Sequence, residues 1–133
     1  MAKVLYSHLC RGLKKDEQTN TFLPLRPFES LAWIDSPVFC TFVVYWAGHI
    51  GERFSQSFAL VDEAGNILDE MPKMECVLTS HFDTIGAAYF YTIFPRIGRY
   101  FINVLQNDIC IEDVPLNVID VLEISSTRRS SLQ

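Results

Sequence analysis

Three histidines and four cysteines are the residues of this sequence with the widest chemical reach. A nucleophilic cysteine needs an exposed, electropositive setting that favours the thiolate, and a histidine to take its proton. His8 and Cys10 stand on one face of an alternating segment, but Val4 and Tyr6 share that face, so it reads as core. Any of the histidines could meet a cysteine in space, but no cysteine carries the surrounding signature of a Cys–His enzyme; a hydrolase using His49 or His81 is the minor alternative. Cys10, Cys40, Cys76 and Cys110 each fall inside a different apolar segment, with no pair at the two-to-four spacing of a zinc site. They are expected to be buried, inert thiols.

Carboxylates give no stronger lead. Hard cations such as calcium need six or more oxygen ligands. The loop acids Asp35, Asp62, Glu63, Asp83, Asp108 and Asp113 stand alone or in pairs, without a closely spaced Asp-x-Asp run. His81 and Asp83, with His49, make a thin zinc set. Glu70, Glu75 and Glu112 are isolated, and no phosphate loop, nucleophile elbow or HExxH occurs. The sequence therefore predicts no catalytic residue, no metal and no cofactor.

Aromatic side chains carry more weight. Trp33, Tyr45, Trp46, Tyr89 and Tyr91 could form a platform for a sugar or peptide, or could fill a core. If the run from Val38 to Trp46 is open on one side, Phe39, Thr41, Val43 and Tyr45 make an outward apolar stripe. A mean hydropathy of +0.15 points the same way. Trp33, Phe39, Val43, Tyr45 and Trp46 are thus the candidate ligand or interface residues. Self-association into a homodimer, or contact with another protein, is the expected function. A small-ligand or carbohydrate-binding module is the alternative.

The elements that must position these residues are strands. The chain has 133 residues and is rich in short apolar runs separated by turns. Lys3 to Cys10 alternates, a polar loop follows, and Thr21 to Leu25 returns. Pro24, Pro27 and Pro37 bracket a crossing between sheets, because proline has no place in a central ladder. Val38 to Trp46 is apolar at nearly every position, as a central strand requires. Arg53 to Val61 alternates, and Asp62-Glu63-Ala64-Gly65-Asn66 is a turn in which Gly65 supplies a positive φ. Ile67-Leu68 leads a return strand stopped at Pro72, and Cys76 opens another. Ala87 to Phe94, Tyr100 to Leu105 and Ile109 to Val121 complete the set, with Asn107-Asp108 as a tight turn and Pro115 at a kink or an edge. The fold expected is all-β: a single antiparallel β-sandwich of about eight strands over residues 1–124, with a polar tail over 125–133.

Together, the N-terminal Val-Leu-Tyr strand with its hairpin into Thr21-Phe22-Leu23, the segment from Phe58 to Asn66, and Gly98-Arg99-Tyr100-Phe101-Ile102 followed by Asn107-Asp108 and Val114-Pro115-Leu116 resemble a known group. It is a family of small, uncharacterised, mostly bacterial single-domain proteins. The resemblance implies a C2-like or immunoglobulin-like sandwich and carries no activity with it. Cys40 and Cys110 are spaced to suit an inter-sheet bridge. Yet Asp108 stands where the immunoglobulin pattern has a tyrosine, so an antibody-like disulfide is not expected.

Net charge is −5. That argues against nucleic acid or an anionic membrane as partner, since both call for a basic face. Met1-Ala2-Lys3 leads into no secretory apolar core. The longest uncharged apolar stretch, Val38 to Gly48, is well short of the roughly 20 residues of a membrane helix. A cytoplasmic location is expected.

Overall fold

A computed structural model describes residues 1–18 and 21–120. The expected tail over 125–133, and the domain end at 124, lie outside the described residues. Among the described residues there are ten strands: β1 (Lys3–Cys10), β2 (Gly12–Asp16), β3 (Thr21–Leu25), β4 (Ser30–Ala32), β5 (Val38–Ala47), β6 (Arg53–Asp62), β7 (Ile67–Val77), β8 (Phe82–Thr92), β9 (Gly98–Gln106) and β10 (Ile109–Ile119). The protein is all-β, and its sheets are built almost wholly from antiparallel pairs. One sheet has the order β1-β5-β8, a second β4-β10-β9-β6-β7, and β2 with β3 forms a separate hairpin. Among the described residues the one parallel pair sets β4 beside the end of β10.

Alternation along β5 fixes where the core lies. Cys40, Phe42, Val44 and Trp46 point inward and meet Phe54, Phe58, Leu60, Ile102 and Val104 of the five-stranded sheet in one buried cluster. The rings of Phe42 and Phe58 meet edge to face at 5.5 Å, and those of Trp46 and Phe54 at 4.6 Å. Such pairs add to the area they bury. Because β5 is central in its sheet, both of its backbone edges are paired and its side chains can be apolar throughout.

Turn chemistry matches the residues. Gly65 has φ +86°, and Asp62 closes the β6–β7 hairpin by accepting from Ala64 N at 2.9 Å and Asn66 N at 2.8 Å. Asn107 and Asp108 both have positive φ, the signature of a two-residue hairpin turn. Asn107 is tied further by the Ser55 N–H, which donates to its Oδ1 at 3.0 Å.

Three expectations need correcting. Pro72 does not stop its strand: β7 runs through it to Val77, and Pro72 falls where the β6–β7 register shifts. A bulge on an edge strand tolerates a residue that cannot donate to the ladder. The crossing segment after Leu25 holds a strand of its own, β4. The face of β1 carrying Tyr6, His8 and Cys10 is not the main core; Leu9 points there instead.

Candidate interaction face

The outer face of the three-stranded sheet is aromatic at both ends. Alternation sends Phe39, Thr41, Val43 and Tyr45 of β5 outward, flanked by Tyr6, His8 and Cys10 of β1 and by Tyr89 and Tyr91 of β8. The β2–β3 hairpin leans over the middle of this face and lays Leu13 on Cys10, Val43 and Tyr45. Of the four outward β5 residues, only Phe39 is therefore open to solvent. Val43 and Tyr45, interface candidates only if this side of β5 were open, are buried beneath Leu13 of the hairpin.

At one end of the face a ring cluster forms around buried Tyr45, with Tyr6 and Phe82 exposed at its rim. Tyr6 and Tyr45 have ring centroids 4.6 Å apart, and Phe82 stacks on Tyr45 at 5.9 Å with an interplanar angle of 8°. His8 meets Tyr45 edge-on at 6.1 Å. Burial raises the Tyr45 phenol, and its neighbours Tyr6 and Cys10 add to the rise.

The other end is bare. Phe39 and Tyr89 stack at 5.9 Å and 21°, yet each is 52% exposed. Tyr91, opposite Phe39 in the ladder, is 68% exposed, and Ile93 continues the alternation at 56%. Phe39, Tyr89 and Tyr91 make an apolar strip on β8 and the adjoining end of β5, and Ile93 follows just past the end of β8. Alternation puts Tyr89, Tyr91 and Ile93 on one face in the sequence; the tyrosines stood out as ring candidates, whereas a strand-end aliphatic such as Ile93 carries no chemical signal of its own.

Neither tryptophan is a surface ring. Trp46 is fully buried and its Nε1–H donates to Gln56 Oε1 at 2.9 Å. Trp33 is half-buried against the core and donates to the Phe94 carbonyl at 2.9 Å. Polar tips anchored in this way mark structural indoles.

No protein-family model matches the chain, and no curated protein matches it in sequence.

The remaining candidate groups do not converge. Cys10, Cys40 and Cys76 are buried, and burial pushes the last two up to about 11, so they stay thiols at neutral pH. Cys110 is exposed, contrary to expectation; partial burial and the carboxylate of Asp113, 3.3 Å away, raise it as well. His81 Nδ1 lies 3.0 Å from the Gly48 carbonyl, a backbone contact rather than a ligand set. Among the described residues, no three His, Cys, Asp or Glu side chains are grouped to hold a metal ion. A notch of about 690 Å³ opens between β1 and β10, lined by Ser7, His8, Phe28, Glu29, Val114 and Asn117. Among the described residues no helix is long and apolar enough to cross a membrane.

Proposed function

We propose that this chain is a non-enzymatic, cytoplasmic interaction domain that binds a second copy of itself through the bare end of the β5–β8 face. The observation that carries the reading is the strip Phe39, Tyr89 and Tyr91, with Ile93 just past the end of β8, each more than half exposed. Burying it removes rings from water without bringing in an Asp, Glu, Lys or Arg side chain.

The fold behind the proposal is an immunoglobulin-like β-sandwich, preferred here to the C2-like one, in keeping with the small bacterial proteins the hairpins resemble. Strands β10, β9, β6 and β7 lie side by side in the order that variable-type immunoglobulin domains give their last, sixth-position, third and added strands. Tyr100, just inside β9, is buried and donates its hydroxyl to the Arg96 carbonyl at 2.7 Å. A tyrosine bonding back to the chain just upstream is a corner device of such sandwiches.

The test is the solution mass of the reduced protein across a tenfold dilution, with Tyr91→Lys beside it. A dimer that Tyr91→Lys weakens at least tenfold fits the reading, because a desolvated lysine in each copy opposes contact. A monomer at every dilution overturns it. That outcome would favour a second reading, in which the stacked Phe39–Tyr89 pair is a platform for the flat face of a sugar.

A further inference from the structure

We infer that the two copies join edge to edge, the β8 of each pairing antiparallel with the β8 of the other to fuse two three-stranded sheets into one of six. This rests on the self-association proposed above and specifies how it is made.

The edges of the two sheets are not alike. β7 carries Asp69, Glu70, Lys73 and Glu75 together with Pro72 at a register shift, devices that keep another strand from adding. β4 is three residues long. On β1, the Leu9 carbonyl is already taken by the Phe28 N–H at 2.9 Å, and a bulge interrupts the strand between Val4 and Tyr6. β8 is guarded at one end only, where Asp83 stands and its register against β5 shifts between Asp83 and Gly86; from Gly86 to Thr92 the pairing is regular. It is an 11-residue strand whose stretch from Thr84 to Thr92 contains neither a charge nor a proline. Among the described residues its far side pairs with no strand; β7 reaches it at Thr92, whose hydroxyl donates to Asp69 Oδ2 at 3.2 Å.

Size decides between a face contact and an edge contact. With full burial worth roughly 200 Å² per large side chain, the strip together with Ile93 offers about 400 Å². That is no more than the largest patch of many ordinary monomers, and about half of the roughly 800 Å² per partner of a stable interface. The unpaired backbone beside the strip supplies the remainder. The geometry also closes on itself. A two-fold axis near Tyr89 makes the pairing antiparallel, and the period of two along each strand then sets Tyr89 and Tyr91 of both copies on one face. Phe39 backs that row from either side. In sheets of constant-type immunoglobulin domains a fourth strand occupies the place beside β8; here a second copy takes it.

Amide hydrogen exchange on the full chain, read beside the solution mass over a tenfold dilution, tests this. The expected result is a dimer in which β8 amides gain at least tenfold protection as concentration rises, while β7 amides do not change. A dimer with unchanged β8 exchange overturns edge pairing and leaves self-association standing. A monomer throughout removes both. Slow β8 exchange at every concentration means the edge is covered within the chain, which also overturns the inference. Tyr89→Lys and Tyr89→Glu chains give a second reading: each alone is monomeric where the parent is dimeric, and an equal mixture recovers the dimer mass. Failure of the mixture to associate, with both variants folded, places Tyr89 away from the axis and counts against the pairing.

Discussion

Thr41 is the one buried side chain among the described residues whose polar atom has no hydrogen-bond partner. It sits on the outer face of β5 with Cys10 and Tyr89 beside it in the ladder. An unmade bond at a buried hydroxyl costs about 1–3 kcal/mol, and a valine of the same outline removes the group that bears the cost. Thr41→Val should therefore stabilise the protein by about 1 kcal/mol, read as a higher urea midpoint at unchanged slope. An equal loss instead would mean that the hydroxyl is satisfied. Which aromatics fill the core and which face water was only partly legible at this scale. Alternation along Val38 to Trp46 does separate inward Phe42 and Trp46 from outward Phe39 and Tyr45. It cannot reveal that Leu13, far off in sequence, lies over Val43 and Tyr45. Core and platform stayed open for the tryptophans for the same reason, since Gln56 and the Phe94 carbonyl that anchor them lie elsewhere in the chain.

Hairpins were read best, because their determinants are local. Gly65 and Asn107-Asp108 specify left-handed backbone within a few residues, and no distant contact is needed to see them. Asp62 gives the β6–β7 turn a pH dependence. The Asn66 side-chain amide and then its backbone N–H hold this carboxyl below the usual range; burial works against them, and the Ala64 N–H adds to the lowering. A depressed folded pKa means that the contribution is complete above the ordinary carboxylate range. It is lost as pH falls through the lowered value. Asn66 amide exchange should thus quicken on acidification at a pH below that of a free aspartate, and Asp62→Asn should flatten the dependence. A transition at the ordinary aspartate pH would show that the clip is not held in solution. Strand ends were read less well. Pro72 reads as a stop in any one-dimensional pattern, and only the register shift against β6 shows why β7 passes through it. β4 is too short to carry a pattern; it exists because Trp33 N and Asn117 N find carbonyl partners across its pairing with β10.

At the scale of the whole molecule, charge and interface pull in opposite directions. Each chain carries −5, so a pair brings ten like charges together, while the surface proposed to join them has none in its strip and none from Thr84 to Thr92. Repulsion between the two bodies is a long-range effect that salt screens, with a Debye length falling from about 10 Å at 0.1 M to about 3 Å at 1 M. Burial of uncharged rings and pairing of strand edges lose nothing by that screening. Association should therefore tighten as sodium chloride rises, with the dilution midpoint moving to lower concentration in light scattering. A contact built on ion pairs between complementary patches would show the reverse, weakening as its attraction is screened. The sign of the salt dependence thus separates the two kinds of interface without any mutation. A dimer that dissociates at high salt would place the contact away from β8, among the charged edges of the five-stranded sheet.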